Sequence, residues 1–461
     1  MSEKFEHFLI YILLFIIIPL EKITYATNIE CQRKHYSDQD SFVCVCNEKI
    51  CDTFDPLKKT PKGIVQVYET SRENFRFRSS QINFSGKNIS IFDDDDDDGH
   101  HIRINVDRSK KYQKIIGFGG AFTDAAGLNI ATLSKGLQSK LIEDYFGSNG
   151  IEYTLGRIPI GGSDFSSRPY TYDDFNDDDN LSKFSLQMED YQFKIPYLKM
   201  AQKISANKLK YYGSPWSSPR WMKTNNDIRH GGLLKGHPGG KYYKLFAQYI
   251  VRFLQEYEKQ NISMWGITIE NEPGSGFDPN YKWNCLGFNS TLERDFLKLD
   301  LGPALYKNGY DKNKLAVMIY DDQMPQMKTF TETVMADEEA AKYVSGVAFH
   351  WYHNDRADRN DMDKLNEKFP NLFLLATEAC EEWKNDPKKV HLGSWHLMNR
   401  YANDIINDLN HYATGWTDWN LALDLNGGPN WVGNMVDAPI IINATAKEYY
   451  KQPSFYAMGH F

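Results

Sequence analysis

The chain has 461 residues, enough for one large domain and a smaller companion. Its 61 acidic residues outnumber 53 basic ones, giving a formal charge of -8, so no basic footprint marks it for nucleic acid. Aromatic residues make up 14%, which suits a site that stacks flat faces, although most such rings belong in a core.

The first element is an almost continuous apolar run from Phe8 to Leu20, short for a membrane span. Thr24 and Ala26 supply small residues for cleavage, so residues 1–26 read as a secretory signal, with a retained anchor as the alternative. Export suits the four cysteines that follow, Cys31, Cys44, Cys46 and Cys51, which read as two disulfides. Adjacent pairing, Cys31 with Cys44 and Cys46 with Cys51, closes the smallest loops and is favoured. The sequence alone leaves the pairing open. A C-x-C spacing fits zinc poorly. Cys285 and Cys380 lie far away and are expected free and buried. Six N-x-[ST] sequons, at Asn83, Asn88, Asn180, Asn261, Asn289 and Asn443, are candidate glycosylation sites in an exported chain.

Short alternating runs at 64–68, 75–78, 88–92 and 102–106 predict antiparallel strands of a small sheet within 27–113. The aspartates from Asp93 to Asp98 mimic the start of a calcium loop. Asn105 stands where the bidentate glutamate belongs, so the run reads as a self-repelling exposed loop. From residue 114 onward the pattern becomes strand, loop, helix. Strands are predicted at 115–118, 153–158, 209–213, 265–270, 315–320, 346–350, 373–377 and 414–419. A helix is predicted over 242–257, with Phe246, Ile250, Phe253, Leu254 and Tyr257 on one face. Eight strands alternating with helices predict an α/β fold, a (β/α)8 TIM barrel over 114–461. Each predicted strand ends in a polar or aromatic residue: Asp124, Asp164, Trp216, Glu272, Asp321 with Asp322, His350, Glu378 and Trp419. Strand ends converging on one face make a polar cup with aromatic walls.

Two of these ends carry chemistry. Glu272 follows an apolar strand in Asn-Glu-Pro, and Pro273 biases it toward extended backbone and away from a helix start. Asn271 beside it can donate to a sugar hydroxyl and to a second carboxylate. Glu378 ends the run Leu374-Leu375-Ala376-Thr377, and a charge in such company needs a partner. Its structural alternative is an ion pair with an arginine such as Arg157. Two carboxylates at the ends of different strands are what glycoside hydrolysis requires. The Gly-rich stretch 117–122 lacks the lysine of a phosphate loop and reads as close backbone packing. His350 and His353 lack a zincin pattern, so neither a metal nor any other cofactor is expected.

The chain resembles the glucosylceramidase-type acid β-glucosidases of glycoside hydrolase family 30. The resemblance rests on F-V-C-V-C-N-x-x-x-C-D-x-F-D-P at 42–56, G-F-G-G-A-F-T-D-A-A at 117–126 and S-P-W-S-S-P-R-W-M-K-T-N at 214–225. T-I-E-N-E-P at 268–273, L-A-T-E-A-C at 375–380, G-W-T-D-W-N-L-A-L at 415–423, G-G-P-N-W at 427–431 and K-Q-P-S-F-Y-A-M-G-H-F at 451–461 continue it in family order. It implies Glu272 as general acid/base and Glu378 as nucleophile of a two-step, retaining hydrolysis of glucosylceramide to glucose and ceramide. Asp164, Trp216, Asn271, Trp419 and Asn430 match positions that hold the glucosyl unit. Tyr281, Trp283, His350, Trp351 and Tyr352 match the rim and surroundings, with Trp283 replacing the more usual Phe. The adjacent disulfide pairing agrees with the family.

The implied partners are glucosylceramide in a membrane surface, with a saposin-type activator and anionic lipid; the implied location is the secretory pathway or lysosome. The Glu378 charge is expected to keep Glu272 protonated, giving a bell-shaped pH profile with an acidic optimum. Family members continue past G-H-F with strands that complete a β-sandwich. The small sheet is therefore expected to be incomplete here, with an exposed edge and poor stability. The competing readings are another β-glycosidase of the family and a non-catalytic or unstable truncated paralogue.

Overall fold

The computed structural model describes residues 29–83, 105–205, 209–381 and 387–461. The predicted signal at 1–26, Asn88, the aspartate run and the predicted strand at 88–92 lie outside these residues. Of the predicted strand at 102–106, only Asn105 and Val106 are described, in irregular chain. No helix among the described residues is long and apolar enough to cross a membrane.

Four strands precede the barrel: β1 (Arg33–His35), β2 (Phe42–Cys46), β3 (Ile64–Glu69) and β4 (Arg78–Asn83). The barrel strands are β5 (Gly117–Ala121), β6 (Leu155–Ile160), β7 (Lys210–Pro215), β8 (Met264–Thr268), β9 (Ala316–Gln323), β10 (Gly346–His350), β11 (Phe373–Glu378) and β12 (Ala413–Asn420). All run parallel, and β12 pairs with β5 to close the ring. Every predicted barrel strand is present, with bounds shifted by a few residues. Glycines set the seam: a Cβ on Gly119 would stand 2.1 Å from the Leu155 carbonyl oxygen, and one on Gly415 2.0 Å from that of Gly117. Side chains there would hold adjacent strands apart, so the Gly-rich stretch serves close packing, as expected.

Leu155, Tyr212, Met318, Ala348 and Leu375 form one buried cluster contributed by five barrel strands. The helix Lys241–Lys259 buries Phe246, Ile250, Phe253, Leu254 and Tyr257, the predicted apolar face.

The smaller sheet has strand order β1-β2-β15-β14-β13, where β13 is Leu423–Asp424, β14 Ile440–Asn443 and β15 Glu448–Lys451. Three of its strands thus come from residues 423–451, which the sequence reading had counted with the barrel. The entirely buried β2 is no edge, because β1 and β15 flank it. The disulfides are Cys31–Cys44 and Cys46–Cys51, and Cys285 and Cys380 are free and buried. Lys451 Nζ meets Asp52 Oδ1 at 2.7 Å in the interior, tying the stapled segment to this sheet.

β3 and β4 form a separate ribbon. The predicted strand at 75–78 is instead largely turn, with Phe77 in left-handed backbone at φ 50°. The Arg76 guanidinium there turns inward over the Phe42 ring at 3.8 Å.

Candidate active site

Arg157, on β6, is fully buried and is the hub of the strand-end cup. Its Nη1 donates to Glu378 Oε2. Nη2 donates to Asn271 Oδ1 at 2.7 Å and to Asp321 Oδ2 at 2.9 Å, and Nε to Ser214 Oγ at 3.2 Å. The guanidinium carbon lies 4.9 Å from the Trp216 ring centre and 5.4 Å from that of Trp419. The arginine partner foreseen for Glu378 is therefore real, and it binds that carboxylate inside the cup. Tyr352 donates its hydroxyl to Glu378 Oε1 at 2.8 Å. Both Glu378 oxygens are thus oriented.

Glu272 adopts φ 45° and ψ 58°, left-handed rather than the extended backbone its proline predicts. The tertiary contacts override the local bias: its N–H donates to the Asp321 carbonyl at 2.9 Å, and its own carbonyl accepts Ser275 N–H at 2.9 Å. Such backbone in a non-glycine residue persists only where its surroundings hold it. Gln323 Nε2 donates to Glu272 Oε1 at 2.8 Å, and Tyr281 donates to Oε2 at 2.9 Å. His350 bridges two acids, with Nδ1 3.2 Å from Glu272 Oε1 and Nε2 3.2 Å from Asp321 Oδ1. One oxygen of Glu272, one of Glu378 and a His350 nitrogen all lie within 4.8 Å of one another.

The electrostatics at Glu272 run against the sequence expectation. Burial pushes its carboxyl up, but the His350 bond and charge outweigh this, with help from Tyr281 and Arg157, and hold it below the usual range. Burial opposes charge on His350, yet the surrounding Glu378, Asp321 and Glu272 raise the imidazole to about 10. A proton therefore sits on the His350–Glu272 pair, on the histidine side. Burial likewise opposes charge on Asp321, and Arg157 and His350 win, holding it well below the carboxylate range. These facts speak to metal binding as well. A histidine with both nitrogens facing acids and carrying protons has no lone pair for a cation, and Arg157 already neutralises Glu378.

Beside the Arg157 guanidinium, the Trp216 and Trp419 rings stack at 5.1 Å and 20°. Asp164 Oδ2 accepts Asn430 Nδ2 at 3.1 Å and Asn434 Nδ2 at 3.0 Å. Burial raises the Asp164 carboxyl to about 7 despite these donors. Tyr281 and Trp283 pack at 4.5 Å on the Glu272 side.

The structure thus brings Glu272, Glu378, Asn271, His350, Tyr281 and Tyr352 into one network, with Asp164, Trp216, Trp419 and Asn430 linked to one another or to Arg157. Asn271 accepts from Arg157 through its oxygen, which is compatible with the expected donation through its amide nitrogen. Asp124 does not join: it binds Ser166 at 2.6 Å and Tyr170 at 2.9 Å and pairs with Lys194 at 3.3 Å. Trp351 is also spent elsewhere, its indole N–H donating to the Cys380 carbonyl at 3.1 Å. Sequence reasoning passed over Asn434, Gln323 and Thr377. Gln323 follows Asp322 at a strand end, a position that could have flagged it; Asn434 sits in a loop with no local signal.

A closed parallel barrel carrying two carboxylates at its strand ends has the arrangement that glycoside hydrolysis uses. Residues 115–461 match the glycosyl hydrolase family 30 TIM-barrel domain, and the chain belongs to that family. It is 42% identical to mouse lysosomal acid glucosylceramidase over 91% of this chain and 80% of the relative. It is also 42% identical to "Putative glucosylceramidase 4" of Caenorhabditis elegans, over 91% of this chain and 78% of the relative. Among solved structures, SrfJ of Salmonella typhimurium superposes with a TM-score of 0.69 at 32% identity, covering 76% of this chain and 75% of that one.

Proposed function

We propose that the chain is a retaining β-glucosidase that hydrolyses glucosylceramide to glucose and ceramide, with Glu378 as nucleophile and Glu272 as acid/base. The observation that carries this reading is the approach of the two carboxylates, with oxygens within 4.8 Å. Retaining enzymes keep their carboxyl groups about 5–5.5 Å apart, against roughly 6.5–9.5 Å for inverting ones.

In the first step, a Glu378 oxygen bonds to the anomeric carbon as the glycosidic C–O bond breaks. The leaving oxygen takes the proton held by the Glu272–His350 pair. Glu378 is among the charges that hold this proton on His350. Esterification of Glu378 removes that charge, so the imidazole loses proton affinity as the leaving group gains it. In the second step, Glu272 takes a proton from water, whose oxygen displaces Glu378 from the sugar. Asp164, Asn430 and Asn271 offer hydroxyl partners, Trp216 and Trp419 a stacking wall, and Tyr281 with Trp283 a flank for the leaving group.

Ceramide as aglycone and a lysosomal setting follow from the names of the relatives, whereas a membrane-borne substrate, a saposin-type activator with anionic lipid and the secretory route rest on the family resemblance alone. Glycans on the sequons fit that setting. Asn83, Asn180, Asn261 and Asn289 are exposed, whereas the Asn443 amide donates to the Tyr450 hydroxyl at 3.0 Å.

Labelling with a cyclophellitol-type epoxide tests the chemistry. The wild type is expected to be labelled on Glu378 and to cleave short-chain glucosylceramide in preference to xylo-oligosaccharide. Glu378→Gln is expected to do neither, and Glu272→Gln to lose about 10²–10⁴-fold in kcat. A folded wild type that takes no label ends the reading; one that takes label but prefers xylo-oligosaccharide ends the substrate assignment.

A further inference from the structure

The end of β9 is bent in an uncommon way. Tyr320 and Asp321 are consecutive non-glycine residues in left-handed backbone, at φ 80° and φ 53°. Bulky side chains rarely adopt it without support. Pairing to β10 skips Asp321, since Ala348 lies opposite Tyr320 and Phe349 opposite Asp322. Pairing of β10 to β11 likewise skips Thr377, with Phe349 opposite Ala376 and His350 opposite Glu378. These are bulges, which re-aim side chains. The two skipped side chains meet, Thr377 Oγ1 donating to Asp321 Oδ1 at 2.6 Å and also lying 3.1 Å from the Phe349 carbonyl.

The support for the bend comes from outside the strands. The N–H of Tyr320 donates to Oε1 of Glu293, at 3.0 Å, on the helix Ser290–Phe296. Glu293 is fully buried, and its Oε2 has no hydrogen-bond partner among the described residues. Among the described residues, the one hydrogen bond of its carboxyl is therefore the bond to the bend. Past the bend stands Asp321, whose two oxygens hold Arg157 and His350 and whose carbonyl holds the Glu272 N–H.

We propose that Glu293 is a positioning residue for the hydrolytic site, latching the β9 bend so that Asp321 can orient the supports of both Glu272 and Glu378. This deepens the function proposed above and rests on it. Glu293 acts through the backbone and does not reach the substrate. Burial raises its carboxyl to about 8, so at acidic pH it accepts the N–H as a neutral acid, through a carbonyl-type oxygen. A glutamine offers the same oxygen at the same reach.

Three variants separate latching from mere filling of space. Glu293→Gln is expected to keep kcat within about threefold and to preserve the pH profile. Glu293→Leu and Glu293→Asp remove or withdraw the acceptor. Displacements of about 1 Å at such sites cost up to about 10²-fold, so kcat is expected to fall by about tenfold or more, with KM nearly unchanged and the limbs of the pH profile displaced. A folded Leu or Asp variant with wild-type kcat and pH profile overturns the proposal, as does a Gln variant as impaired as Leu. If Glu293→Leu does not fold, the milder Asp variant decides.

The His350 imidazole, followed by ¹⁵N NMR titration, gives a readout without turnover. Its raised pKa is expected to persist in Glu293→Gln and to drop in Glu293→Asp; an unchanged titration in the Asp variant overturns the latch. A wild type that hydrolyses no β-glucoside refutes the proposed function, and the NMR titration then still scores the latch.

Discussion

Arg157 is where the residue-level argument concentrates. A planar guanidinium with five N–H donors serves four different acceptors, Ser214 among them, that one ammonium cannot reach together. It reaches Glu378, Asp321 and Asn271 from within the barrel, with tryptophan rings to one side. Arg157→Lys should leave at least one carboxylate buried without its partner. Breaking such a pair costs about 3–5 kcal/mol. The expected outcome is a kcat lower by at least about 10²-fold and a lower melting temperature, checked by steady-state kinetics and calorimetry on the same preparation. Wild-type kcat in Arg157→Lys would show that charge alone, without the fork, orients Glu378.

At the level of elements, the barrel is shaped by where its strands depart from regular pairing. The bulges at Asp321 and Thr377 turn polar side chains into a cup that a regular ladder would have aimed elsewhere. The seam between β5 and its neighbours depends on the absence of side chains. Gly119→Ala would drive a Cβ to 2.1 Å from a backbone carbonyl that has no rotamer to escape into. Overpacking typically costs about 1–3 kcal/mol, and a rigid backbone neighbour puts this case at the upper end or beyond. The prediction is a melting temperature lower by several degrees with the Glu378 label still formed in the surviving folded fraction; an unchanged melt would mean that β5 and β6 can separate freely there.

For the whole molecule, pH should act on stability through several buried groups of one tendency. Burial raises Asp164 to about 7, and Asp418 and Glu293 to about 8; neighbouring acids raise His350 to about 10. Each binds its proton more tightly when folded than unfolded, so in this range the native state holds more protons and stability falls as pH rises. For the carboxyls the loss begins above their unfolded values, near about 4, and runs to about 7 or 8. For His350 it begins near about 6.5 and runs to about 10. Asp321 and Glu272 have the opposite sign, since their folded values are depressed, and their stabilisation disappears as pH falls below about 4. The melting temperature is therefore expected to peak in mildly acidic solution and to be clearly lower at pH 8; a peak at or above neutrality would contradict the burial of these groups as neutral acids.

The amino-acid pattern by itself determined the eight barrel strands, the buried face of the helix Lys241–Lys259 and the two glutamates at strand ends. Those features are periodic or punctuated locally, by apolar runs of strand length and by the turns that stop them. Tertiary structure decided the rest. Residues 449–451 pair with residues 44–46 from the other end of the chain, a contact no local period encodes. Asn434 reaches Asp164 across 270 residues. Glu272 is left-handed despite Pro273, and carries less of its proton than Glu378 alone would predict, because Asp321 and His350 come from two other strands. Backbone strain and proton affinity both depend on the nearest charges and hydrogen-bond partners in space, and only the closed barrel specifies who those neighbours are.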